Sequence, residues 1–355
     1  MRYIRQEIFK EIGKKGQAKL RNSTIAIVGL GALGTVSAQL MARAGIGNLI
    51  LIDRDIVELS NLQRQTLFDE SDVGKPKALA AQEHLIKINS DVKINFFIDD
   101  LNCKNINGLI PTTDNSNKKI KNKKNADLIL DCTDNLETRF LINDFSIKNN
   151  IPFIYSSAVG SKGYVFNVIP NKTPCLKCFL KEAAQLGTCE TTGVLNTITN
   201  LISSIQADEA VKILLNNPYE KHLLFFDIWK NELLKIKVNK NKNCICCMKN
   251  DFEYLNGKKS SRIVKLCGNN IYQIKTKNID AKQFNALENQ RFSVPRNSKN
   301  FLELKNKLKR IGKLTDFGYC INFGSKLTVF NDGRVLVKAK DEKEAKSLYS
   351  KFIGN

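Results

Sequence analysis

The sequence predicts an α/β fold, and three features of one stretch predict it. An apolar, β-branched run over Thr24–Val28 has the make-up of a parallel strand buried on both faces. Gly29, Gly31 and Gly34 follow at G-x-G-x-x-G spacing and open a helical pattern through Leu33, Val36, Leu40 and Met41. A second apolar run, residues 48–52, ends on Asp53. Together these are the parts of a Rossmann-like mononucleotide half. Gly29 permits a tight turn, Gly31 lets backbone approach a phosphate, and Gly34 lets the helix pack close to the strand. The helix N-terminus offers free N–H groups and partial positive charge to an anion. Asp53, about twenty residues past the glycines, stands where a carboxylate can accept from ribose hydroxyls.

Glycines with a downstream acid serve NAD and FAD as well as ATP, so this stretch alone leaves a dinucleotide-dependent oxidoreductase open. The residues that follow favour ATP. Asp55 and the run Asn61-Leu62-Gln63-Arg64-Gln65 cluster polar groups just beyond the ribose carboxylate, where a dehydrogenase would need a hydride path. Arg64 offers a planar fork for phosphate oxygens and Asn61 a neutral donor. Such a cluster suits a nucleotide whose phosphate is attacked.

The 355 residues suffice for a full core and two domains. The polar, amphipathic N-terminus does not read as a signal peptide. No run approaches the roughly twenty apolar residues of a membrane span. A cytoplasmic protein is expected. Ten cysteines in such a chain point to metal or thiol chemistry rather than a disulfide scaffold. The net charge of +21 comes from lysines spread along the chain and mixed with asparagine, without an aromatic-interleaved patch. That pattern argues against direct nucleic-acid function and fits an acidic protein partner better.

Along the chain, Arg2-Tyr3-Ile4-Arg5-Gln6 opens a short amphipathic helix whose arginines would ordinarily be solvated. Val73-Gly74-Lys75-Pro76-Lys77 turns into a helix over 78–89, and 93–97 reads as a third strand. Residues 102–125, rich in Asn and Lys, are expected to form a flexible surface insertion. A fourth strand, 127–130, ends in Asp131-Cys132-Thr133-Asp134-Asn135, at the strand edge that faces the ligand crevice of such sheets. Asp134 is a candidate magnesium ligand. The plainer alternative is that one of these aspartates caps the helix over 136–148. A fifth strand (151–155) precedes a more antiparallel section that starts at 164–169 and closes with strands over 223–227 and 232–238.

Cys175 and Cys178, and much later Cys244 and Cys247, form two C-x-x-C pairs. Such pairs suit a closed, structural four-thiolate zinc site that staples distant segments, with a redox pair as the alternative. Cys246 is surplus and could substitute for a neighbour. Cys189 lies in a small-residue stretch before a helix over 195–215. A thiol near a helix N-terminus tends toward the thiolate, and the plain alternative is an incidental thiol.

The set R-Y-I-R-Q, G-L-G-A-L-G, L-I-D-R-D, S-N-L-Q-R-Q, V-G-K-P-K, D-C-T-D-N and the two C-x-x-C pairs resembles the ThiF/MoeB/HesA adenylyltransferases, relatives of ubiquitin-activating enzymes. The resemblance covers residues 1–250. It implies a Rossmann-like ATP-binding fold with a mixed parallel and antiparallel sheet. It also implies ATP-dependent adenylation of the C-terminal Gly-Gly carboxylate of a small ubiquitin-like sulfur carrier, with release of pyrophosphate. Carried over residue by residue, the glycine turn (Gly29, Gly31, Gly34), Asp53, Asn61 and Gln65 would bind ATP. Arg64, Lys77 and Arg5 would grip the phosphates, and Asp134 would coordinate Mg2+. Cys175, Cys178, Cys244 and Cys247 would hold Zn2+, and Cys189 would serve sulfur transfer or thioester formation. A homodimer is implied, with Arg5 reaching the partner's nucleotide, and a cysteine desulfurase is a candidate sulfur source. Activation for ubiquitin-like conjugation is the related alternative. The insertion before Asp127 departs from the family pattern. His84 and His222, the only histidines, fall in no motif.

The domain organisation expected is an adenylation domain over 1–255 and a small C-terminal α+β domain over 256–355. The tail reads as strands over 262–266, 271–274, 326–330 and 334–339, with a helix near 301–311 and a last helix from Asp341. Cys267 and Cys320 lie in or beside strand-like runs, which argues against an appended rhodanese domain.

Overall fold

The computed structural model describes residues 2–112, 125–180, 192–259, 264–266, 271–275, 299–324, 326–331 and 334–353. The chain divides into two compact units, Met1–Ser260 and Ser261–Asn355.

The first unit is built on an eight-stranded sheet. Its strands are β1 (Thr24–Val28), β2 (Asn48–Asp53), β3 (Lys93–Ile98), β4 (Leu128–Asp131), β5 (Phe153–Val159), β6 (Lys162–Val168), β7 (Leu223–Asp227) and β8 (Glu232–Ile236), in the order β3-β2-β1-β4-β5-β6-β7-β8. The first five pair in parallel and the last three antiparallel. The order in which strands are added reverses between β1 and β4, which run parallel, and this opens the crevice where doubly wound sheets bind ligands.

Alternation explains why the central strands read as unbroken apolar runs. On one face Ile25, Ile27, Leu49, Leu51, Leu128 and Leu130 pack against α2 (Gly13–Asn22), α3 (Gly34–Ala44), α4 (Lys77–Ile88) and α7 (Asn196–Leu215). On the other, Ala26, Val28, Ile50, Ile52 and Ile129 pack against α5 (Ile106–Leu109), α6 (Leu136–Asn149) and the cysteine segments. Both faces are covered, so neither set of side chains can be polar. The antiparallel edge differs: every residue of β8 is exposed.

The expected insertion over 102–125 is corrected in its first half. Asn102 and Asn105 close a turn, with the Asn102 N–H donating to Asn105 Oδ1 at 2.8 Å and Asn105 Nδ2 to the Asp100 carbonyl at 2.9 Å. Ile106 and Ile110, one helical turn apart, are fully buried. The asparagines here replace backbone partners, which composition alone cannot distinguish from solvation. Residues 113–124 lie outside the described residues.

The N-terminal segment holds two helices, α1 (Ile4–Ile8) and α2, where the sequence suggested one. Among the described residues no helix is long and apolar enough to cross a membrane.

The second unit has an antiparallel six-stranded sheet. It comprises β9 (Val264–Leu266), β10 (Ile271–Lys275), β11 (Leu314–Asp316), β12 (Cys320–Phe323), β13 (Leu327–Phe330) and β14 (Arg334–Lys338), ordered β11-β12-β13-β14-β10-β9. Helices α8 (Lys299–Ile311) and α9 (Glu342–Phe352) complete it. Phe301, Leu308, Ile321, Val329, Val335 and Ala345 meet in one core. Asp341 caps α9, accepting from the Glu344 N–H at 2.8 Å. Cys320 is buried on β12, and Cys267 lies outside the described residues.

Candidate functional site

The glycine turn joins β1 to α3. Gly29 has φ +88°, and a Cβ there would stand 2.7 Å from the Cys132 carbonyl oxygen. A Cβ on Gly34 would fall 1.8 Å from the Gly29 carbonyl oxygen, so the close helix–strand approach depends on its absence. Gly31 differs. Its nearest neighbour would be Gln65 Nε2 at 3.9 Å, which leaves open space over the backbone between them. Gln65 is buried, and its Oε1 has no hydrogen-bond partner.

Asp53 ends β2 beneath this turn. Its Oδ2 accepts from the Leu30 N–H at 2.5 Å and its Oδ1 from the Asp55 N–H at 2.7 Å. Burial pushes the carboxyl pKa up, with nearby Lys77 opposing. Asp53 therefore clamps the turn to β2, and each oxygen retains a lone pair for a further donor.

Lys77 starts α4, where the Val73-Gly74-Lys75-Pro76 turn delivers it. The Gly74 N–H donates to the Val57 carbonyl and the Val57 N–H to the Lys75 carbonyl, both at 2.8 Å. Lys77 Nζ lies 3.6 Å from Asp55 Oδ2. Burial works against its charge, yet Asp55, Asp53, Asp134 and Glu58 together raise its pKa above the ordinary lysine value. A buried ammonium is thus kept charged by carboxylates.

Arg54, which the sequence did not single out, joins the same lattice. Its Nη1 donates to Asp100 Oδ1 at 2.9 Å, and its Nε lies 3.8 Å from Asp55 Oδ1. Its position directly after Asp53 was the available signal. A second network backs the α4 turn: buried Asp72 receives Lys75 Nζ at 3.0 Å and contacts His84 Nε2 at 2.6 Å. That short contact marks a paired group rather than two ligands spread around an ion.

Asn61 ends a short 3₁₀ turn. Its Oδ1 accepts from the Glu58 N–H at 3.3 Å, so the side chain partly shapes its own loop. Arg64 is half-buried, with Nη1 donating to the Ser60 carbonyl at 3.0 Å.

At the end of β4, Asp131 Oδ1 accepts from the Thr133 N–H at 3.0 Å and the Thr133 hydroxyl at 2.7 Å. Neither aspartate caps α6. Asn135 does, accepting from the Thr138 N–H at 2.8 Å, which leaves Asp134 exposed. Asp134 lies close enough to influence both Lys77 and Arg54 electrostatically.

The four cysteines of the C-x-x-C pairs converge. Cys175 Sγ stands 3.9 Å from Cys178 Sγ and 3.6 Å from Cys244 Sγ, and Cys178 Sγ stands 3.6 Å from Cys247 Sγ. All four lie within 4.8 Å of one another. Tetrahedral zinc–thiolate bonds of about 2.3 Å would place sulfurs about 3.8 Å apart, so the set fits zinc without rearrangement. Cys246 is not among them; its sulfur receives Asn143 Nδ2 at 3.3 Å. Lys177 braces the knuckle, 3.1 Å from Glu253 Oε2 and 3.7 Å from Asp144 Oδ1. Cys189 lies outside the described residues.

Arg5 sits on α1, away from this crevice. Tyr3 OH accepts from Asn89 Nδ2 at 2.7 Å, and Gln6 Nε2 donates to the Ala44 carbonyl at 2.9 Å. Those contacts anchor α1 at the C-terminal end of α3, whose eleven residues span roughly 16 Å from the glycine turn. Arg5 itself is exposed.

Comparison with known proteins agrees with this architecture. The ThiF family model matches residues 3–246. The chain is 37% identical over 360 residues to the sulfur carrier protein ThiS adenylyltransferase of Bacillus subtilis, covering 99% of each. It is 33% identical over 251 residues to the SAMP-activating enzyme E1 of Haloferax volcanii, covering 69% of this chain and 88% of that one. Among solved structures, E. coli MccB with MccA-N7isoASN matches with a TM-score of 0.60 at 22% identity, covering 70% of this chain and 75% of that one, a likeness of fold. The family model spans more than half of the chain and the B. subtilis relative matches it over nearly its whole length, so the chain belongs to the ThiF family.

Proposed function

We propose that this protein is an ATP-dependent adenylyltransferase that activates the C-terminal Gly-Gly carboxylate of a small ubiquitin-like sulfur carrier and releases pyrophosphate. The observation that carries the reading is Lys77. A buried ammonium held charged by Asp53, Asp55 and Asp134 beside an open glycine turn is a phosphate site. It is not a hydride path, and the oxidoreductase reading has no comparable support.

The reaction brings a carboxylate against the α-phosphate of a polyanion, so the protein must supply cations and positioning more than proton transfer. In this reading the glycine turn receives phosphate oxygens on its free N–H groups, with Gly31 leaving room for their approach. The unpartnered Gln65 Oε1 gives the turn a further acceptor for a ligand donor. Asp53 holds the ribose through its remaining lone pairs, and Asn61 adds a neutral donor. Lys77 and Arg64 offset the charge that builds on the phosphates. Asp134 would hold Mg2+, a hard cation suited to an exposed carboxylate, and that ion when bound would offset further phosphate charge. Cys175, Cys178, Cys244 and Cys247 hold a structural zinc.

Arg5 completes the phosphate clamp from a second subunit. Its anchorage at the far end of α3 supports this, because an arginine placed there is remote from its own glycine turn. The assembly is then a homodimer with two composite sites. Cys189 acts after activation, in sulfur transfer or thioester formation, with a cysteine desulfurase as sulfur donor. The relative named for SAMP activation favours a related second reading, activation for protein conjugation, which shares the adenylation step. We place the protein in the cytoplasm, with residues 1–255 as the adenylation domain and 256–355 as an appended domain.

The test is exchange of labelled pyrophosphate into ATP with B. subtilis ThiS as the carrier. Exchange that appears only when ThiS carries its C-terminal glycines supports the reading. NAD binding without ATP–pyrophosphate exchange would replace it.

A further inference from the structure

A buried amide that touches no ligand ties the two walls of the crevice together. Gln206, near the middle of α7, is completely buried. Its Nε2 donates to the carbonyls of Asp131 at 3.2 Å and Ile154 at 3.1 Å. Its Oε1 accepts from the Ser37 hydroxyl at 2.8 Å and the Cys132 thiol at 3.3 Å. All four hydrogen-bonding positions of one amide are used. Ser37 lies in the first turn of α3, on the glycine-turn wall, whereas Asp131 and Cys132 form the β4 wall that leads to Asp134. One turn earlier on α7, the Ser203 hydroxyl donates to the Leu33 carbonyl at 3.0 Å, directly before α3 begins.

We propose that Gln206 is a positioning residue that fixes the separation between the glycine turn and the strand end carrying Asp134. The inference rests on the adenylation reading. On α7 the apolar residues Ile198, Ile202, Ala207 and Ala210 supply the packing, whereas Gln206 lies on a buried polar stripe with Thr199, Ser203 and Glu209. A fully satisfied buried network instead specifies one arrangement of the elements it joins. Here those elements are the two that must hold the phosphates and the magnesium ligand at a fixed distance. Misplacement of reacting groups by about 1 Å costs roughly 100-fold in rate, so a looser latch reads out in turnover.

The test compares Gln206→Met, similar in shape but without the amide, with Leu214→Ala two turns away on the same helix. The second variant loosens α7 packing without touching either wall. Three measurements are taken on zinc-loaded protein: melting temperature, kcat and KM for ThiS-dependent exchange, and backbone amide hydrogen exchange. The expected result for Gln206→Met is a fall in kcat of about 10- to 100-fold, with KM for ATP changed less. Amides of 34–37 and 132–135 exchange faster while those around Cys175 and Cys244 do not. Ser37→Ala, which removes one arm, falls between wild type and Gln206→Met. Leu214→Ala lowers the melting temperature yet keeps kcat per folded molecule.

If Gln206→Met and Leu214→Ala lower stability alike and both keep wild-type kcat, Gln206 is a packing residue and the proposal is overturned. If the wild type itself shows no ThiS-dependent exchange, the adenylation reading has failed instead. The hydrogen-exchange pattern then decides on Gln206 by itself: faster exchange confined to the two walls supports it, and uniform or absent loosening refutes it.

Discussion

The cysteine knuckle and the glycine-turn crevice lie on one sheet and are finished to different degrees. At the knuckle four sulfurs already stand at tetrahedral spacing, braced by Lys177, Asp144 and Glu253. At the crevice the positive groups are apart: Lys77 is ringed by carboxylates, Arg64 bonds its own loop, and Arg5 belongs to the far end of α3. The difference follows from charge. Thiols can crowd together as neutral groups until a metal takes their protons. Several cations gathered without their anion repel one another at short range, so a fold keeps them paired or distant until a polyanion arrives. In the proposed reading one site is a staple and the other a clamp for a polyanion.

The largest effect should come from undoing the staple. Structural zinc in small peptides is worth about 10–16 kcal/mol apparent. We expect one zinc per chain, and the Cys175→Ser, Cys244→Ser double variant should lose it together with the folding of the segments it joins. Metal analysis that still finds stoichiometric zinc in that variant would erase the contrast between the two sites.

The clamp should break without unfolding. Asp134 is exposed and outside the core, so Asp134→Ala should keep its melting temperature while exchange falls by about 100- to 1000-fold. Near wild-type exchange in this variant would remove Asp134 from the magnesium assignment.

Smaller and more discriminating is a pair of glycine substitutions. Gly34→Ala drives a methyl into the Gly29 carbonyl and should cost about 1–3 kcal/mol of stability. Gly31→Ala meets open space, so stability should move by less than about 0.5 kcal/mol. Its methyl occupies the room proposed for phosphate, and KM for ATP should rise by about tenfold. Equal stability loss in the two, by thermal melts without nucleotide, would show that the space over Gly31 is not held open for a ligand.

How far the sequence reached depended on whether a feature repeats along the chain. The strands and α3 were legible because their apolar periods are imposed by burial on both faces, and the glycine turn because its spacing has few other uses. The four clustered cysteines could be picked out by spacing, and in the structure Cys246 turns instead to Asn143. Single contacts across the fold left no periodic trace. Asn135, rather than either neighbouring aspartate, caps α6 because only its side chain lies at the N-cap position. Gln206 bonds partners tens of residues away in sequence, which no local pattern reveals. The short strand β11 escapes the sequence reading for a related reason: three residues are too few for an alternation to stand out.

The central claim is that one chain holds an incomplete clamp and that a partner's Arg5 completes it. Arg5→Ala and Asp134→Ala, each inactive as a pure protein, should be mixed and allowed to exchange subunits, with exchange verified by differently tagged chains. If Arg5 acts across the interface, each mixed dimer contains one intact site, and ThiS-dependent activity should return to roughly a quarter of wild type under random reassortment. If Arg5 serves its own chain, no mixed dimer contains an intact site, and activity that stays at zero despite verified exchange would contradict the account.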